Sequence, residues 1–76
     1  MTLNQLQDLL QQAYPNAQVD VQGDGTHFFI TLIDDYFQGL SLIKRQRDVY
    51  SYLQSYIDSG ELHAVSMSIK TPSEVE

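Results

Sequence analysis

The sequence predicts a two-layer α+β domain: a three-stranded mixed sheet with helices on one face, in the order helix, strand, strand, helix, helix, strand. Three observations carry this expectation. Apolar residues recur at spacings of three and four near the amino terminus and again beyond Ser41, as on amphipathic helices. Three other stretches either alternate apolar with polar or run almost wholly apolar and β-branched, as strands do. Glycine, proline and aspartate fall between these segments, where turns need them.

Thr2-Leu3-Asn4-Gln5 matches a capping box, in which Thr2 caps the helix and Gln5 reaches back. Leu3, Leu6, Leu9, Leu10 and Ala13 then make one apolar face, so a helix is expected from Leu3 to Ala13. Pro15-Asn16 ends it, because the residue before a proline is pushed out of the helical region. Gln18 to Gln22 alternates around Val19 and Val21 and reads as a strand. Gly23-Asp24-Gly25 is a turn signal. His27 to Ile33 follows as a central strand, antiparallel to the first, with at least one of Phe28 and Phe29 in the core.

Asp34 to Gly39 is a connection, and Ser41 caps what comes next. Leu42, Ile43, Val49, Tyr50, Leu53, Tyr56 and Ile57 form a helical stripe whose spacing slips across the polar run Lys44 to Asp48. The expectation is therefore two helical pieces with a bend near Arg45 to Asp48. Gly60 stands where a helix C-terminal glycine belongs. Leu62 to Ile69 is the last strand, stopped by Thr71-Pro72, and Ser73 to Glu76 either begins a helical turn or frays. If the second and third strands pair, the helical crossover between them makes them parallel and right-handed.

The 76 residues suit one domain over 1–76 with a thin core, since such a chain buries only ~60% of its unfolded surface. There is no cysteine, so no disulfide forms and no site is built from this chain's own thiolates, which fits a reducing compartment. No apolar run reaches the ~18 residues of a membrane span. Met1 to Gln5 lacks the features of a signal peptide, so the cytoplasm is the expected location. The net charge of −6 opposes non-specific contact with nucleic acid. Three of the four basic residues, Lys44, Arg45 and Arg47, nevertheless cluster, as a solvated helix face or as a contact surface for an anionic partner.

The two histidines carry the sharpest chemical expectation. His27 starts the second strand and His63 stands at the start of the third. Adjacent parallel strands begin at one end of a sheet, ~4.8 Å apart, so both imidazoles gather at one rim beside Gly23, Asp24 and Gly25. A lone histidine at a strand start is usually packed or hydrogen-bonded, but two converging imidazoles make a half-site for a metal. Two histidines fall short of the four or so ligands of a zinc or iron–sulfur site, so a partner must complete it, with thiolates. Enzyme readings lack support. There is no Gly-x-Ser-x-Gly and no cysteine nucleophile, and Asp34-Asp35 belongs to a connection. Gly23-Asp24-Gly25 lacks the third glycine and the helix of a dinucleotide loop. The expectation is no catalytic residue.

Five elements in order resemble the BolA-like family, most closely its IbaG-type branch. They are Val21-Gln22-Gly23-Asp24-Gly25-Thr26-His27-Phe28, Phe37-Gln38-Gly39-Leu40-Ser41, Lys44-Arg45-Gln46-Arg47-Asp48-Val49-Tyr50, Leu62-His63-Ala64-Val65-Ser66 and Thr71-Pro72-Ser73-Glu74. The resemblance implies a fold like a type II KH domain, although the Gly-x-x-Gly loop with which KH domains grip nucleic acid is missing. It further implies a partnership with a monothiol glutaredoxin around a shared [2Fe–2S] cluster. The glutaredoxin and a glutathione supply sulfur, and this chain supplies His63 and His27. The free protein is then a monomer or weak homodimer. A second implication of the resemblance is a DNA-binding stress regulator, contacting DNA through Lys44, Arg45 and Arg47. Two departures bear on these implications. Gln46 stands where the family often has histidine, and Val75 stands where its Pro-x-Glu-Trp has an aromatic residue.

Overall fold

A computed structural model describes residues 1–24 and 26–75. Helix α1 spans Leu3–Ala13, strand β1 Gln18–Gly23 and strand β2 His27–Ile33. A 3-10 turn over Asp35–Phe37 leads to helix α2 at Leu42–Asp58, strand β3 at Ala64–Lys70 and a final turn of helix, α3, at Pro72–Val75. Among the described residues, no helix is long and apolar enough to cross a membrane.

Helix α1 has the expected bounds because its start is determined locally. The Thr2 hydroxyl accepts from the Gln5 N–H at 3.1 Å, and the Gln5 side chain accepts from the Thr2 N–H at 2.9 Å. Leu6 and Leu10, one turn apart, are fully buried. The sheet order is β1-β2-β3, with β2 antiparallel to β1 and parallel to β3. Phe28, Ile30 and Leu32 alternate into the core, where they join Leu6, Leu10, Val49, Leu53 and Ile69. The opposite face carries His27, Phe29, Ser66 and Ser68, and Phe29 is 54% exposed. The helices thus cover one face of the sheet, as the sequence implies.

The expected break in α2 does not occur: Leu42–Asp58 is one helix of 17 residues. The reason is Arg45, which lies inward with Val49 and Leu53 at four-residue spacing and is only 5% exposed. Leu42 and Ile43, apolar by type, are 69% and 62% exposed instead. A buried cation in the stripe and two apolar residues outside it imitate a slipped period. The element order is accordingly helix, strand, strand, helix, strand, helix.

Strand β3 begins at Ala64 rather than Leu62. Gly60 takes a left-handed conformation at φ +82°, and the Leu62 N–H turns back to the Tyr56 carbonyl at 3.0 Å. Leu62 therefore closes the helix end and fills the core before the ladder starts. Ser73 to Val75 forms the helical turn, with the Glu74 carboxylate accepting from the Thr71 N–H at 2.8 Å.

Candidate functional site

The end of the sheet where β2 and β3 start is shaped by a tight loop. Gly23 sits at φ +152°, and a Cβ there would collide with the carbonyl oxygen of His27, so only glycine lets the two segments approach this closely. One Asp24 carboxylate oxygen accepts from the His27 N–H at 3.0 Å, the Thr26 hydroxyl at 2.8 Å and the Thr26 N–H at 3.0 Å. These bonds, that from His27 foremost, hold the Asp24 carboxyl down at about 2. Gly23 and Asp24 together fix where the β2 backbone begins, and hence where His27 stands. Gly25, the third expected loop residue, lies outside the described residues.

The parallel register brings the histidines to one end. His27 pairs with Ala64, the residue after His63, and the Ala64 N–H donates to the Thr26 carbonyl at 3.4 Å. The adjacency inferred from chain order is therefore present, with the two histidines offset by one register position. Their environments differ. His27 is half-buried on the open face, its ring stacked on Phe29 at 4.5 Å and 7°, with Nε2 2.9 Å from the Ser66 hydroxyl. His63 lies in the short segment between α2 and β3 and is exposed. Among the described residues, no three His, Asp or Glu side chains gather in a way that could hold a metal ion. What this end offers is two imidazoles and no thiolate.

The basic cluster is corrected by the structure. Lys44 and Arg47 are exposed, but Arg45 is not part of that surface. Its Nη1 and Nη2 donate to the two Glu74 carboxylate oxygens at 2.7 and 3.0 Å. Nη1 also reaches the Ile69 carbonyl and Nε the Leu40 carbonyl, each at 3.0 Å. This fork-to-fork pair, with carbonyls taking further donors, is the arrangement a buried guanidinium requires. The Arg45 bonds, with the Thr71 N–H second, draw the Glu74 carboxyl down to about 2, and Glu74 in turn raises the Arg45 guanidinium further above its usual range. Only the four-residue spacing of Arg45, Val49 and Leu53 could have signalled this role; Thr71-Pro72-Ser73-Glu74 marks Glu74 locally as a helix-capping residue but not as the partner of Arg45.

A second carboxylate also escapes sequence reading. Asp48 accepts from the phenol of Tyr14 and, at 3.2 Å, from that of Tyr36. It thus joins α2 to the end of α1 and to the 3-10 turn.

A model of the BolA-like protein family matches residues 6–74. The acid stress protein IbaG of Escherichia coli is 39% identical over 74 residues, covering 97% of this chain and 88% of its own. The solved structure of BolA1 from Arabidopsis thaliana superposes with a TM-score of 0.82 at 33% identity, covering 95% of this chain and 93% of that one. The BolA domain of SufE1 from the same plant gives 0.82 at 34% identity, with 93% and 92% covered.

Proposed function

The chain belongs to the BolA-like family as an IbaG-type member, and from that premise we propose that it is a non-enzymatic partner protein of the cytoplasm. In this reading it docks a monothiol glutaredoxin and shares a [2Fe–2S] cluster with it, in cluster trafficking or in iron and stress regulation. The observation that carries the reading is the parallel register, which sets His27 and His63 at one sheet end in a chain without cysteine. Such a chain can contribute only the nitrogen share of a mixed site, and the partner and its glutathione must bring the sulfur.

The donor set fits that share. His63 is exposed and free to approach an iron atom from the partner's side. To hold iron, His27 would either release Ser66 from Nε2 or present Nδ1. When bound, the cluster supplies a redox-active and transferable iron–sulfur unit. Histidine ligation sets its potential above that of an all-thiolate cluster. A histidine binds a metal only in its deprotonated form, so cluster binding and proton release are coupled. That coupling is in keeping with a relative named as an acid stress protein.

The test is anaerobic reconstitution with a monothiol glutaredoxin, read by size-exclusion chromatography, visible absorption and iron analysis. A coloured one-to-one complex is expected from the unmodified chain. An unchanged spectrum and stability of that complex with His63→Ala overturns the ligand role.

A further inference from the structure

The molecule has a concave surface away from the histidines. It lies among the α1–β1 connection, the 3-10 turn and α2, and encloses a cavity of about 400 Å³. Tyr14 forms its floor at 3% exposure. Tyr36 and Tyr52 stand beside it, their ring centroids 5.8 and 5.5 Å from that of Tyr14, and remain 57% and 42% exposed. Asn16, Asp34 and Asp35 complete the polar part of the rim, and among the described residues no lysine or arginine lines it.

We propose that this cavity binds an organic cation of ammonium or guanidinium type. Three properties point that way. Tyrosine faces carry negative quadrupole charge, and a cation within ~6 Å of a ring centroid is attracted to it. Tyr14 and Tyr36 donate their hydroxyls to Asp48, which moves electron density toward both rings. Burial chiefly for Tyr14, and the Asp48 charge for Tyr36, raise both phenols above their usual range, so both stay protonated and hold those bonds at neutral pH. The Asp34 and Asp35 carboxylates then add full negative charge at the mouth, in a chain of net charge −6. An anion finds no donor cluster here. A metal ion finds no three converging ligands among the described residues. A headgroup of choline or arginine size fits the volume and lies beside the tyrosine rings and both carboxylates.

The test is an NMR titration of the isotope-labelled protein with choline and with N-acetyl-arginine amide. The carbon isostere of choline and the citrulline counterpart serve as neutral controls. Saturable shifts at Tyr36, Tyr52 and Asp35 in the millimolar range are expected with the cations only. Preference for choline assigns the site to a small molecule, and preference for the arginine derivative to a partner's side chain. Tyr52→Leu weakens binding about five-fold and Tyr52→Phe restores it. Asp35→Asn provides a second variant at an exposed position should Tyr52→Leu not fold. Equal affinity for the neutral isosteres, unchanged choline binding by the folded Tyr52→Leu or Asp35→Asn variant, or no saturable shift overturns the proposal.

Discussion

Strands β2 and β3 run parallel, so their shared ladder has two chemically different ends. Where both strands finish, charge is answered inside the fold. Arg45 is gripped by both oxygens of Glu74 and by two carbonyls, and the Asp34 N–H reaches the Lys70 carbonyl at 3.0 Å. Where both strands start, one carboxylate organises a loop while His63 stands exposed. The first end holds the fold together, and the second leaves an imidazole exposed, which the proposed function uses as a ligand. The clustering of cations in the sequence points the wrong way: one of the three, Arg45, forms an internal clamp, whereas His63 stands exposed and is the open ligand only in the function proposed above.

The contrast breaks most sharply at His63. His63→Ala is expected to abolish the coloured complex with a glutaredoxin while changing stability by no more than ~0.5 kcal/mol, because an exposed side chain leaves no cavity. Thermal unfolding alongside reconstitution separates the two effects. A large loss of stability would make His63 a structural residue and remove the distinction between the ends.

Next in size is Gly23→Ala. The added methyl group meets the His27 carbonyl, so the loop must open, at a cost of about 1–3 kcal/mol in denaturant unfolding. Because the same movement displaces the start of β2, the variant should also form the complex less completely. Normal complex formation in the face of that destabilisation would mean that His27 is not needed in place.

Acid titration sharpens the comparison further, since each end has its own carboxylate. Asp24 and Glu74 both sit at about 2, below their ordinary values of 3.8 and 4.5. Each therefore stabilises the fold fully above its ordinary value and loses that contribution as pH falls toward 2. Glu74→Gln should lower the melting temperature at pH 7 and flatten its fall in acid, leaving complex formation intact. Asp24→Asn should flatten it less at the clamped end and disturb the histidine end more. Identical profiles for the two variants would show the ends to be coupled.

How far these ends could be read beforehand follows from how local their causes are. Helix α1 was legible to the residue because Thr2 and Gln5 cap it within one turn. The hairpin was legible from Gly23-Asp24, and the parallel direction of β2 and β3 from connectivity, given that they pair. The continuity of α2 was not, because what makes Arg45 an inward residue is Glu74, far along the chain, and a carbonyl of β3. The difference between the histidines was hidden for the same reason. Ser66 meets the His27 ring only once the β2–β3 register exists, whereas Phe29, two residues along the same strand, shares its face by alternation.

The smallest expected effect tests what remains of the basic cluster. Lys44→Ala with Arg47→Ala should alter stability by no more than ~0.5 kcal/mol, since both side chains are exposed and their charges are screened over ~8 Å in physiological salt. Glutaredoxin binding, measured by calorimetry at two salt concentrations, should change less than about two-fold. Docking at the histidine end needs no contact with these cations, so their removal should leave the salt dependence of binding nearly as it was. A steep, salt-sensitive loss would instead place an anionic partner on the face above the Arg45 clamp. The two ends would then divide labour between partners rather than between stability and ligation.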